Sequence, residues 1–517
     1  MDELRAPTAE AAARRPLLAP VAALAAIALT LAAAVLGLEA FAVCVLGAYT
    51  APSLHIAVFF VAFDLATGGV LLWAAQRRLA ADAAASKAEA GAARPDPPRV
   101  SVLIAAFNEA SVGGKGGVVP TVAAVAAQLG VTLEILVGDD GSDDATQREL
   151  VRAFGLQVAK DGHEGEVRRS DGSSAPLRVF RWDHAGKGAT LNALALRARH
   201  GVLVTMDADT TPAPGAIAHL ASAFADPRVE SAAGVVSVRN ARSILTRHQY
   251  AEYVKNSIVR IGWSALGALE QVPGAFAGVR AEAFAAIGGF PTDSLTEDYE
   301  LTYRLVARGL AVGRVPLVVT VPRAQAFTDV PVTLRGFVRQ RTRWFAGFLS
   351  TLFRFRRLIG RPGAGGFGVV RLPLKLVDAV LPVLAFASLA VLVRGAASPV
   401  LALSRVAIGI FVIRWLWDLT FYALALRFSG ALGDADETRR VAPESWRGWL
   451  CTATEALTYV WLKHAAVFRA YAWAARRVRT WEPSREEAFA RTEARSSAKA
   501  RGAMVGSPPC APPSVPS

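Results

Sequence analysis

Two long apolar runs open the chain. Residues 17–47, "LLAPVAALAAIALTLAAAVLGLEAFAVCVLG", exceed the roughly 20 apolar residues that span a bilayer, and a second run follows at 56–75. The first run is too long for a signal-peptide core, so residues 1–78 are expected to form a tail and a transmembrane hairpin. Residues 79–97 are Ala-rich, charged and Pro-bearing, and read as a linker. Over 98–335 the pattern changes. Short β-rich runs, "RVSVLIAAF", "LEILVGDD", "LRVFRW" and "GVLVTMDAD", alternate with Ala/Leu-rich helical stretches. That alternation predicts an α/β domain with a largely parallel sheet, covered on both faces and inserted between membrane helices. Residues 336–372, including "GFVRQRTRWFAGFLSTLFRFRRLIGR", interleave arginines with apolar positions and suit interfacial helices. Further spans are expected near 376–393 and 400–427. The stretch 449–473 carries Glu455, Lys463, His464 and Arg469, which makes it a poor spanner within a C-terminal region running over 373–475. Residues 476–517 read as a partly disordered tail.

Composition sharpens this picture in one respect. Hydrophobic residues make up 53% of the 517 positions, and the mean hydropathy is +0.33. The net charge of +14 could indicate nucleic acid, but Arg14 and Arg15 precede the first apolar run and Arg77 and Arg78 follow the second. This is the positive-inside pattern, and no nucleic-acid reader motif accompanies it. The expectation is a multi-pass protein of the cell (inner) membrane, with residues 98–335 and the basic tail on the cytoplasmic side. The three cysteines lie far apart and indicate neither disulfides nor a zinc site.

The candidate chemistry sits where strands end. Ligands of open α/β sheets bind beyond the carboxyl ends of the strands, and two such ends carry paired acids. In "MDADT", Asp207 and Asp209 are separated by one residue and point the same way on an extended strand. Two like charges there favour a cation between them, and a few carboxylates completed by phosphate and water suit Mg²⁺ or Mn²⁺. In "LVGDDGSDD", Asp139 and Asp140 can accept hydrogen bonds from a base or ribose, although Asp-Gly is also a common turn. Lys187 in "HAGKGATLNAL" is one of only eight lysines against 49 arginines, and suggests either a phosphate contact or a solvated cap. Glu297 and Asp298 stand side by side in "TEDYE", either as a solvated helix start or as a cleft carboxylate. Gln340, Arg343 and Trp344 in "QRTRW" offer an aromatic platform with polar donors, or a membrane-belt residue.

Taken in order, "AAFNEA", "DDGS", "GKGATLNAL", "DAD", "PGAFAGVRAEAF…GGF", "TED" and "QRTRW" resemble the processive, membrane-embedded family 2 glycosyltransferases. These are the relatives of cellulose, hyaluronan, chitin and poly-N-acetylglucosamine synthases. The resemblance runs over about 98–350 and implies a GT-A-type, Rossmann-like catalytic domain. It implies that Phe107, Asn108 and Glu109 pack on the uridine, that Asp139 and Asp140 hold the base, and that Lys187 lies near the nucleotide. Asp207 and Asp209 would bind the metal, with Asp207 also on the donor. Asp298 would be the general base with Glu297 as its neighbour, and Gln340, Arg343 and Trp344 would form the acceptor and diphosphate site. A gating motif of the cellulose-synthase kind is missing, and the tail "RTWEPSR" loosely resembles that of poly-N-acetylglucosamine synthases.

The resemblance therefore implies an inverting enzyme that elongates a β-linked polysaccharide from a UDP-sugar, UDP-GlcNAc ahead of UDP-glucose, and translocates it. Its partners would be the growing glycan or a lipid acceptor, membrane lipids and an accessory membrane subunit of undefined identity, without nucleic acid. A single-transfer enzyme acting on a lipid carrier is the alternative within the class, and a degenerate domain serving as a scaffold is the alternative outside it.

Overall fold

The computed structural model describes residues 52–89, 96–110, 117–380, 382–383, 401–430 and 445–478. The expected first span at 17–47, most of the one at 376–393 and nearly all of the 476–517 tail lie outside the described residues. Among those described, ten strands form one sheet: β1 (Arg99–Ala106), β2 (Thr132–Asp139), β3 (Gln157–Ala159), β4 (Gly162–Arg168), β5 (Ser174–Arg181), β6 (Val202–Asp207), β7 (Thr211–Pro212), β8 (Val229–Val238), β9 (Phe276–Arg280) and β10 (Leu317–Thr328). Their order across the sheet is β3-β4-β5-β2-β1-β6-β9-β8-β10-β7. The helices between and around them are α1 (Pro52–Glu89), α2 (Val118–Ala126), α3 (Thr146–Phe154), α4 (Lys187–Ala195), α5 (Ala216–Ser222), α6 (Ile244–Ala265), α7 (Ala281–Ala286), α8 (Glu297–Ala311), α9 (Leu334–Arg354), α10 (Leu401–Gly430), α11 (Ser445–Glu455) and α12 (Tyr459–Val478).

The four apolar runs seen in the sequence become β1, β2, β5 and β6, which lie side by side and parallel. The sheet as a whole is mixed rather than largely parallel. β9 runs against both β6 and β8, and β3, β4 and β5 form an antiparallel meander at one edge. The sequence conceals this edge because "GHEGEV" in β4 is polar on both faces and carries two glycines. Within β1 the pleat sorts side chains to opposite layers. Val102 and Ile104 join Val122, Val125, Ile217 and Leu220 from α2 and α5. Leu103 joins Leu191, Leu194, Trp263, Leu301 and Leu305 from α4, α6 and α8.

Residues 79–89, expected as linker, continue α1 as helix; their alanines are strong helix formers, which the charges do not offset. α1 docks on α6 at Gly262, where a Cβ would lie 2.6 Å from the carbonyl oxygen of Leu71. The run 56–75 falls within α1, and all but the first residue of the run 400–427 falls within α10. Among the described residues, no helix is long and apolar enough to cross a membrane. Asp64 of α1 pairs with Arg414 of α10, and Arg414 also meets Asp418 at 3.3 Å. The 449–473 stretch is broken into α11 and α12, and its charges turn toward the sheet domain. Lys255 of α6 pairs with Glu455, and Glu252 accepts hydrogen bonds from Arg341 and Tyr459, both at 2.6 Å.

Candidate active site

The site forms where β1, β2 and β6 end together. The register sets Ala106 of β1 beside Asp139 and Ala105 beside Asp207, so the two acidic strand ends flank one backbone. The chain leaving β1 is then laced to the loop after β2. Asn108 adopts a left-handed φ of 57°, which its short amide side chain tolerates better than most. Its amide donates to Ser142 Oγ at 2.9 Å, and its Oδ1 accepts from the Asp143 amide at 2.9 Å. The Glu109 amide donates to Thr146 Oγ1 at 2.8 Å. Phe107 remains exposed and its ring lies 4.3 Å from that of His184.

Asp139 and Asp140 are both buried. Asp139 Oδ1 accepts the Ser142 amide at 2.9 Å and so shapes the turn. Asp140 fastens the loop before α4: its carboxylate accepts the amides of Ala185 and Gly186 at 2.9 and 3.0 Å and the Thr190 hydroxyl at 2.9 Å. His184 Nδ1 lies 3.0 Å from the same group. A base that bonds directly to Asp140 has to displace one of these donors.

That loop delivers Lys187 at the first position of α4. Its ammonium lies 2.6 Å from Asp207 Oδ1 and 3.0 Å from Glu297 Oε1. Against the cost of burial, Asp207, Glu297 and Asp298 together hold this lysine more firmly protonated than usual. Strand β6 ends at Asp207, and a turn closed by the Thr210 amide on the Asp207 carbonyl at 3.1 Å follows it. Asp209 therefore belongs to a turn rather than to an extended strand. Its Oδ1 is held by the hydroxyls of Thr328 and Thr210 at 3.2 and 3.3 Å. Burial and the charge of Asp207 push the Asp209 carboxyl up to about 6. Burial and then Asp209, Asp207 and Asp144 push Glu109 up to about 7. Negative charge is thus in excess around Asp207 and Asp209. Among the described residues, no group of three or more His, Cys, Asp or Glu is arranged to hold a metal by itself. Two carboxylates with an unbalanced charge fit a hard cation whose remaining ligands come from phosphate and water.

Glu297 and Asp298 open α8. Asp298 Oδ2 accepts the Gly274 amide at 2.8 Å and Oδ1 accepts the Tyr299 amide at 2.8 Å. A Cβ on Gly274 would lie 3.0 Å from Asp298 Oδ2 and 3.1 Å from its Cγ, so a larger residue there would push the carboxyl by a few tenths of an ångström. Burial and the adjacent Glu297 raise the Asp298 pKa, while Lys187 and the Gly274 amide oppose the rise. The result is a carboxylate that binds a proton more readily than a solvated aspartate. For Glu297 burial works the other way from Lys187, and the ammonium wins, holding that carboxyl below its usual range.

The "QRTRW" segment lies on α9, which docks on the loop preceding Glu297. Gly347 meets Thr296 so closely that a Cβ would sit 2.2 Å from the threonine hydroxyl. Arg343 donates to the Leu295 carbonyl at 3.2 Å. Gln340 Oε1 is buried without a hydrogen-bond partner, and the Trp344 ring is covered by the Arg341 guanidinium at 4.4 Å. The structure thus brings Lys187, Asp207, Asp209, Glu109, Glu297 and Asp298 to one place and sets Arg343 at its edge, while Asp139 and Asp140 support it from within. The sequence reading missed Gly274, Thr296 and Arg341. Arg341 is part of "QRTRW" itself, and Gly274 stands in the quoted "PGAFAG", but their partners are distant in the chain.

Family profiles match the part of the chain that carries these residues. The profile of the Glycosyl transferase family group 2 matches residues 202–429, and that of Glycosyl transferase family 2 matches residues 101–288. Poly-beta-1,6-N-acetyl-D-glucosamine synthase of Staphylococcus aureus (strain COL) is 27% identical over 257 residues, which cover 49% of this chain and 56% of that protein. The synthase of that name from Staphylococcus epidermidis is 28% identical over the same length and coverage. The match thus spans little more than half the length of these relatives. A solved structure of a Pyrobaculum calidifontis mannosyltransferase in complex with GDP-Man and Mn²⁺ covers 80% of this chain and 98% of its own, at 20% identity and a TM-score of 0.47.

Proposed function

The profile matches place the chain among the family 2 glycosyltransferases, and we propose that its mixed α/β domain is of the GT-A type and that it elongates a β-linked polysaccharide from a UDP-sugar, with inversion, at the cytoplasmic face of a membrane. UDP-GlcNAc is the first donor to test and UDP-glucose the second. The observation that carries this reading is the single cluster of Lys187, Asp207, Glu297 and Asp298, closed on one side by the "QRTRW" helix. The low-identity relation to poly-N-acetylglucosamine synthases supports the polymer and the donor.

A sugar hydroxyl is a weak nucleophile. Asp298, fixed by the Gly274 amide, takes the hydroxyl proton as the oxygen attacks the anomeric carbon. The bond to the donor diphosphate breaks on the opposite face, which inverts an α-linked donor to a β-glycoside. No covalent enzyme intermediate is needed. Asp207 and Asp209 would hold a divalent ion, Mg²⁺ or Mn²⁺, which when bound neutralises charge on the departing diphosphate. Lys187 and Arg343 add positive charge on the same side. Phe107 supplies an aromatic face for the base, Asn108 and Glu109 border it, and Gln340 and Trp344 lie toward the acceptor. The apolar runs at the two ends of the chain anchor the enzyme and provide the exit for the glycan.

Full-length protein in detergent, given a panel of UDP-sugars with Mg²⁺ or Mn²⁺, should release UDP from one or two of them. A ladder of glycan sizes is the expected product. One lipid-soluble product overturns elongation in favour of single transfer to a lipid, and no UDP release from any donor overturns the donor assignment.

A further inference from the structure

Lys187 touches the two halves of the site at once. Its ammonium is 2.6 Å from Asp207 Oδ1 and 3.0 Å from Glu297 Oε1. Its backbone cannot follow the side chain, because Asp140 clamps the Ala185 and Gly186 amides and the Thr190 hydroxyl around it. What is free to move is a four-carbon stem carrying a compact charge. Resting on the reading of Asp207 and Asp209 as the ligands of a divalent ion, we propose that Lys187 is a placeholder for that ion. In the nucleotide-free protein its ammonium occupies the Asp207 carboxylate and has to leave it before the metal is bound.

Three observations argue for exclusion rather than sharing. Asp207 Oδ1 is already engaged at a short, charge-assisted distance, and a second cation on the same carboxylate would face the ammonium at a few ångströms, where like charges repel strongly. Asp209, the other acid of the pair, is held by two hydroxyls, Thr210 and Thr328, so its negative charge is not cancelled. The ammonium also has a second partner in Glu297, so it leaves Asp207 without being stranded in the interior. A donor diphosphate supplies a further anion for the released lysine. Metal and nucleotide therefore bind with positive coupling, each weak alone and tight together. The lysine offsets the charge of Asp207 between turnovers and gives way when the complete donor arrives.

The test measures Mn²⁺ binding to full-length protein in detergent through the spin-resonance signal of free Mn²⁺, with and without UDP. Wild type should bind Mn²⁺ weakly and gain affinity on addition of UDP. Lys187→Met should bind Mn²⁺ alone about tenfold tighter or more, since one positive charge is removed beside Asp207, and the gain from UDP should shrink by a similar factor. Lys187→Arg keeps the charge and should keep the wild-type behaviour. Thermal unfolding of each variant establishes that it is folded, and Lys187→Gln replaces the methionine variant if it is not. Mn²⁺ binding to the neutral variant that is equal to or weaker than wild type overturns the placeholder. Wild type that binds no Mn²⁺ even with UDP overturns the metal assignment of Asp207 and Asp209, and the placeholder with it.

Discussion

Burial makes Asp298 hold a proton more readily, and three neighbours adjust it: a glycine amide that orients it, a glutamate that strengthens that hold, and a lysine that restrains it. Replacing it by asparagine keeps the shape and the Gly274 contact but removes the proton acceptor. Asp298→Asn should lower kcat for UDP release by about 10²–10⁴-fold with little change in donor KM, which steady-state kinetics will read. The acids around Asp207 make a second prediction. Glu109 is raised to about 7 and Asp209 to about 6 in the folded protein, so both bind protons more tightly folded than unfolded. Their contribution is fully present below about pH 4 and is lost as pH rises through 6 and 7. The thermal midpoint of metal-free protein should therefore decline from pH 5 to 7.5, and Mn²⁺ with UDP should reverse the decline; a flat profile contradicts it. At this scale the sequence was informative, because carboxylates at strand ends are visible as adjacent letters. It could not show that Asp140 is committed to the 184–186 loop, since that depends on two loops meeting in space.

Helix α9 is positioned by the absence of a side chain. Gly347 lets it approach Thr296, the residue before Glu297. In Gly347→Ala the new methyl group forces either the helix or the Thr296 loop outward, at a cost of about 1–3 kcal/mol. On the proposed assignment, with the acceptor beside α9 and the donor beside Lys187, a lower unfolding midpoint should be accompanied by a larger loss of turnover than of UDP binding. Equal losses in both would place the effect elsewhere. The β-rich runs that became β1, β2 and β6 were legible because each is a mostly apolar stretch buried on both faces, and β5 because its buried Leu177 and Val179 alternate with arginines. β9 and the β3–β4 edge were not. β9 is a short "FAGVR" whose direction is set by its neighbours, and β4 has no apolar face. Residues 79–89 misled in the opposite sense, since charge and alanine together suit an exposed helix as well as a linker.

On the scale of the molecule, the segments after α9 fold back onto α6. Lys255 and Glu455 form a buried pair across this contact, with 15% and 7% of their side-chain surface accessible. Glu455→Gln removes an anion shared by Lys255 and Lys463 and should cost about 3–5 kcal/mol, whereas the double change Lys255→Met with Glu455→Leu should recover most of that loss. Unfolding midpoints of the three proteins decide it, and an equally destabilised double variant refutes it. The sequence indicated that 449–473 is a poor membrane spanner, but not which residues receive its charges. Arg341 gives this arrangement a further meaning. It stands inside the "QRTRW" segment, yet its guanidinium is fixed to Glu252 on α6 and to the Tyr459 hydroxyl on α12. Thr342, next to it, grips the Ala466 carbonyl at 3.2 Å. The strut that closes the catalytic crevice is thus bolted at its middle to the last described helix. A displacement of that helix is therefore carried along α9, through Arg343 to Leu295 and through Gly347 to Thr296, to the residue that precedes the acids of α8.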